Sequence, residues 1–121
     1  MQEKSRILKK INNECLGGSE NQLRLLLKYL PDESFKDINL ILNNTNNDLI
    51  EKDKINILWM QHFVNQEEVK NLESKDYVNK LDHILFNSNW NFEKFQYQFK
   101  FNLCFVMNYY IMDMYIYMYI F

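Results

Sequence analysis

The chain contains no alanine, a single proline (Pro31) and only two glycines, which stand side by side at Gly17-Gly18. A chain without alanine but rich in Asn, Lys, Ile, Tyr and Phe carries the imprint of an AT-rich coding sequence, so residue choice reflects nucleotide composition as well as structure. The two cysteines, Cys15 and Cys104, lie far apart without ligand-like spacing, which argues against a zinc site and a disulfide framework. There is no basic excess. Lys and Arg number 14 against 16 Asp and Glu, a formal net charge of −2, so a nucleic-acid partner is not expected. The amino-terminal stretch MQEKSRILKK is charged and lacks an apolar core, so no signal peptide is read there and a cytoplasmic location is the default. The sequon Asn43-Asn44-Thr45 is accordingly read as chance. No metal site and no cofactor are expected.

A chain of 121 residues supports one domain with a modest core. It divides into two unlike parts. Residues 1–100 mix charged and apolar positions as a globular domain does, whereas residues 101–121 form an apolar tail. That tail carries one charge, Asp113, and holds four of the six methionines and five of the eight tyrosines.

The periodicities in the first part are readable. Ser19, with Gln22 three residues on, has the form of a capping box, and Leu23, Leu26, Leu27 and Leu30 then make one apolar helix face that Pro31 ends. Ile38–Leu42 and Ile55–Trp59 are short apolar runs suited to buried strands, with too few residues between them for a comfortable helical crossover. The spacing predicts a mostly helical Gln66–Leu81, a third buried strand at His83–Phe86 and a helix over Trp90–Phe99. The fold class that follows is α/β, a layered sandwich with a short, mainly parallel sheet.

In open α/β sheets, ligands bind beyond the carboxyl ends of the strands. Those ends carry Asn43 and Asn44, then Gln61 and His62, then Asn87, Ser88 and Asn89. These neutral hydrogen-bonding groups and one imidazole suit a polyhydroxylated ligand better than a metal or a fatty chain. The Gly17-Gly18 pair fits the same picture, since glycine tolerates positive φ and close backbone approach, and the helix behind it offers free N–H groups to a phosphate. Read without that picture, Gly17-Gly18 is a tight turn, His62 a loop histidine, and Ser88 and Asn89 turn residues that cap the next helix. His83 is read as structural.

Several of these segments together resemble a known family. Gly17-Gly18-Ser19-Glu20, opening a helix that ends at Leu30-Pro31, resembles the Gly-Gly-Ser/Thr-Glu loop of GT-B glycosyltransferases of the family-4-like group. Ile57-Leu58-Trp59-Met60-Gln61-His62 is similar to a strand and loop of that family's N-terminal domain. Leu85-Phe86-Asn87-Ser88-Asn89-Trp90, running into Phe92-Glu93-Lys94-Phe95, resembles its next strand and helix. The resemblance covers residues 14–100 and implies an incomplete Rossmann-like three-layer domain with a short, mainly parallel sheet, and transfer of a sugar from a nucleotide-sugar donor to a glycan acceptor. It implies that Gly17, Gly18, Ser19, Glu20, Gln61, Asn87, Ser88 and Asn89 line the substrate cleft, with His62 as the catalytic candidate. The acidic partner often found after that histidine is missing. Ser5–Asn13 gives only a degenerate version of the family's opening strand, and nothing after Lys100 supplies its donor-binding C-terminal domain. The expectation is therefore a truncated, inactive fragment.

The tail has three readings: a membrane anchor, against which Asp113 counts; a sticky strand in which Tyr115, Tyr117 and Tyr119 alternate with Ile116, Met118 and Ile120; or translated repeat after loss of an ancestral frame. The last is favoured. The alternative function is a small α/β interaction module that self-associates or meets a membrane through this tail.

Overall fold

Short apolar runs bounded by polar loops become strands here because each is covered on both faces, the condition a parallel sheet requires. The computed structural model describes residues 2–11, 17–62, 65–103 and 108–111. Strands β1 (Ile38–Leu42), β2 (Ile55–Met60), β3 (His83–Phe86) and β4 (Asn108–Ile111) lie in the order β1-β2-β3-β4, and each neighbouring pair is parallel. The first three are the runs read from the sequence, with β2 one residue longer. The fourth falls within residues 101–121, where Asn108–Ile111 pairs with His83–Phe86.

Among the described residues four α-helices flank the sheet: α1 (Gln2–Leu8), α2 (Gly18–Tyr29), α3 (Lys75–Val78) and α4 (Asn89–Leu103), the last interrupted by non-helical dihedrals at Phe99. Because strand side chains alternate between faces, the core splits in two. On one face Leu40, Leu42 and Trp59 pack with Ile7 of α1, Leu23 and Leu27 of α2, and Phe35. On the other, Ile41, Leu58, Met60, Ile84 and Phe86 pack with Val69, Leu72, Tyr77, Val78, Phe92, Phe95 and Phe99. Phe86 meets the Phe92 ring edge-on at 5.3 Å between centroids and lies 5.5 Å from Phe95. The protein is thus a three-layer α/β domain around an open parallel sheet, as the alternation of strands and helices predicts.

Several local expectations are corrected. Gly17 caps α2 at φ −68°, ψ 162°, and neither glycine has positive φ. The positive-φ residue is Asn43, at φ 51°. Ser19 is not the helix cap: it lies inside the first turn and donates its Oγ hydrogen to Gln61 Oε1 at 3.2 Å, so the capping box with Gln22 does not form.

Gln66–Leu81 is mostly helical, as read, but in two pieces: a 3₁₀ segment, Glu67–Glu73, followed by the single turn of α3. The cause is tertiary. The Thr45 N–H and hydroxyl both donate to the Glu68 carbonyl at 2.8 Å, and Asn71 Nδ2 donates to the Thr45 carbonyl at 2.7 Å. The Glu68 carbonyl is thereby engaged by another segment instead of serving only an α-helical bond. Ser74 then ends the segment and caps α3 by accepting the Tyr77 N–H.

Of the stretch Ser5–Asn13, Ser5–Leu8 belongs to α1 rather than to a degenerate strand, and Asn12 and Asn13 lie outside the described residues. The Asp32 carboxylate accepts the N–H groups of Glu3 and Lys4 at 3.2 and 3.0 Å, capping α1 from a distant turn. Arg6 donates to the carbonyls of Phe35 and Ile38 at 2.8 and 2.7 Å and pairs with Glu51, which also meets Lys10 Nζ at 2.8 Å. The crossover from β1 to β2 is short, as expected, and holds one 3₁₀ turn, Asn47–Leu49. Asn43 is only 4% exposed, which closes the sequon to glycosylation. Cys15, Cys104, Asp113 and Tyr115–Phe121 lie outside the described residues. Among the described residues no helix is long and apolar enough to cross a membrane.

Candidate functional site

The polar ends of β1, β2 and β3 converge at the carboxyl edge because the strands run parallel. Helix α2 leads into β1 from one face, while the chain leaving β2 covers the other, so both approach the sheet at this edge. The first turn of α2 reaches this edge, where Ser19 meets Gln61.

Asn43 organises the edge. Its backbone N–H donates to the Trp59 carbonyl at 2.9 Å, completing the β1–β2 ladder, and the chain then turns through the left-handed region. Asparagine tolerates that region better than other side chains that bear a Cβ. The turn brings Asn43 Oδ1 onto the backbone N–H groups of Gln61, at 2.5 Å, and His62, at 3.0 Å. Two donors on Oδ1 fix the orientation of the amide and leave Nδ2 as its donor end. Among the described residues that Nδ2 is buried without a hydrogen-bond partner, as are Gln61 Nε2, His62 Nδ1 and Gln22 Oε1. Gln22 lies three residues after Ser19 and therefore on the same side of α2.

At β3 the geometry is a closed local network. Ser88 Oγ accepts the Asn91 N–H at 3.1 Å and so caps α4. Asn91, buried to 4%, donates from Nδ2 to Asn87 Oδ1 at 3.1 Å and to the Met60 carbonyl at 3.5 Å. Asn87 and Ser88 are thus engaged in holding α4 against β2, and Asn89 is exposed at the helix start. Gly17 and Gly18 are both exposed. A Cβ on Gly17 would lie 2.6 Å from Glu20 Oε2, so the Glu20 carboxylate sits over the start of α2. Negative charge there occupies the position an anion would take.

No protein-family model, no curated protein and no solved structure matches this chain.

Of the residues singled out from the sequence, the structure brings Ser19, Gln61 and the His62 backbone together around Asn43, while Asn87 and Ser88 form the neighbouring network. Asn91 and Gln22 were missed as members of this edge. Asn91 is legible at helical spacing from Asn87 and Ser88. Gln22 was assigned to a cap instead. Among the described residues no group of three or more His, Cys, Asp or Glu side chains could hold a metal ion. The edge offers amide donors, an amide acceptor and one imidazole, a set that matches hydroxyl groups, which donate and accept at once.

Proposed function

We propose that the chain is a glycosyltransferase-like domain that binds a carbohydrate, a glycan acceptor or the sugar of a nucleotide-sugar, at the carboxyl edge of its sheet. The observation that supports this reading is that Asn43 Nδ2, Gln61 Nε2, His62 Nδ1 and Gln22 Oε1, on residues at this edge or on the helix turn that reaches it, are buried without a hydrogen-bond partner among the described residues. Such groups cost on the order of 1–3 kcal/mol each when left unmade, so a cluster of them marks a surface built to be completed by a ligand or by ordered water. Asn39 Oδ1 and Tyr77 OH are also buried without partners, but they lie elsewhere in the fold. Sugar hydroxyls complete this set better than a diphosphate does, because Glu20 already places a carboxylate over the start of α2. His62 is then a binding group with catalytic potential in a complete cleft.

The test is an amide NMR titration of the chain with a neutral disaccharide, uridine diphosphate glucose and uridine diphosphate. Saturable shifts on Ser19, Asn43, Gln61 and His62 with both sugar-bearing ligands, weakened by Gln61→Ala, are expected. Absence of any saturable shift at this edge with either sugar-bearing ligand, or binding of the bare diphosphate alone, overturns the reading.

A further inference from the structure

The opposite edge of the sheet holds a cavity of about 360 Å³ lined by Asn47, Ile50, Lys52, Asn56 and Lys80. Its walls come from the β1–β2 crossover, the first turn of β2 and the turn before β3, so it lies at the amino ends of the strands. At about 3.3 Å per residue, the length of β2 sets it roughly 17 Å from the carboxyl edge.

One wall is rigid. Asn56 is 4% exposed and uses its whole side chain: Oδ1 accepts from Asn39 Nδ2 at 2.7 Å and from the Glu51 N–H at 3.0 Å. Its Nδ2 donates to the carbonyls of Glu51 and Lys54 at 2.9 and 3.2 Å. Asn39 Nδ2 also donates to the Leu49 carbonyl at 2.8 Å, which ties the crossover to the sheet. The polar interior beneath the cavity is therefore a lock on the loop, and the free chemistry lies on the cavity's lip.

That chemistry is two ammonium groups. Lys80 Nζ has one hydrogen-bond partner, the neutral Asn47 Oδ1 at 3.0 Å, and neither Lys80 nor Lys52 makes an ion pair among the described residues. No carboxylate lines the cavity. Glu51 is turned to Arg6 and Lys10, and Asp82 to the Asn56 N–H at 2.8 Å, while Asp48 and Asp53, next in the chain to Asn47 and Lys52, are exposed and are not part of the cavity's lining. Two like charges around one concavity repel each other until an anion lies between them. A phosphate group meets that need with oxygens for both ammoniums and the Asn47 amide, in charge-assisted hydrogen bonds. Ile50, half-buried, presents an apolar wall to whatever carries the phosphate.

We propose that this amino-edge cavity binds the phosphate of a small phosphomonoester, separately from the carbohydrate edge. The two sites are at opposite ends of the strands, so either stands without the other.

The experiment is an amide NMR titration of the full chain at constant ionic strength with inorganic phosphate, with glycerol phosphate, and with chloride as the control anion. Saturable shifts on Asn47, Ile50, Lys52 and Lys80 are expected with both phosphates, tighter with the ester because of Ile50. The double variant Lys52→Gln, Lys80→Gln should raise Kd by about tenfold or more. Both lysines are exposed, so a spectrum unchanged outside the cavity verifies that the variant is folded. Tighter binding of inorganic phosphate than of the ester would reject the phosphomonoester. Linear shifts, equal effects of chloride, shifts located instead at Ser19 and Gln61, or a double variant that binds as well as the wild type would overturn the site.

Discussion

Replacing Asn43 by glycine removes the acceptor that holds the N–H groups of Gln61 and His62 but leaves the left-handed backbone free to form. Replacing it by alanine removes the same acceptor but keeps a Cβ at φ 51°, now without the side-chain amide that makes the left-handed region tolerable for asparagine. The two variants therefore separate two effects. Each lost hydrogen bond is worth about 0.5–1.5 kcal/mol, so the glycine variant should lose about 2 kcal/mol. The left-handed conformation costs alanine a further 1 kcal/mol or so. For a domain of this size these losses are roughly 8 °C and 12 °C in Tm. Urea unfolding followed by circular dichroism gives the free energies, and an amide spectrum shows whether the Gln61 and His62 resonances move. A glycine variant as stable as the wild type would refute the claim that Asn43 holds the carboxyl edge. Equal losses for glycine and alanine would refute the left-handed turn.

Two further outcomes follow from the fold. Gly18→Ala should stabilise the protein by about 0.4–1 kcal/mol, because the position is helical with nothing within 4 Å of the added Cβ; destabilisation in a urea melt would show that the α2 start is wrongly drawn. Burial raises the Glu51 pKa, but Lys10 and Arg6 outweigh that and hold it below its ordinary value. The unfolded chain thus takes up the proton first, and the stability from this cluster is present above the ordinary carboxylate pKa and lost as pH falls through the folded one. Glu51→Gln should accordingly lower the urea midpoint near pH 7, by an amount that shrinks as pH falls below the ordinary carboxylate range. A pH-independent effect of the substitution would remove the ion pairs as its cause.

What the sequence showed, and what it concealed, divides along local and long-range physics. Ile38–Leu42 and His83–Phe86 are legible because a fully buried strand needs nothing beyond an apolar run with polar limits. Gln66–Leu81 is legible as mostly helical, but its 3₁₀ form and its break are not, because the Glu68 carbonyl is engaged by Thr45, a partner distant in sequence. Helix α1 is hidden for the same reason, since its cap is Asp32 and its anchor the Arg6 contacts to Phe35 and Ile38. At the candidate site, the strand-end rule located Gln61, His62 and Asn43 correctly at one edge. The glycine pair drew attention as the flexible element, yet the left-handed residue is an asparagine. Nothing in a sequence that uses asparagine so freely marks that one of them as special.

The strands occupy the sheet in the same order as they occupy the chain. During synthesis each new strand can therefore add to the outer edge of those already paired, and none has to be threaded between two earlier ones. The nascent chain meets its folding problem one strand at a time, with domains assembling from the amino terminus as they emerge. Until residues 108–111 leave the ribosome, β3 is the open border of the growing sheet, and a pause in translation just before that point would leave its unpaired edge exposed to neighbouring chains.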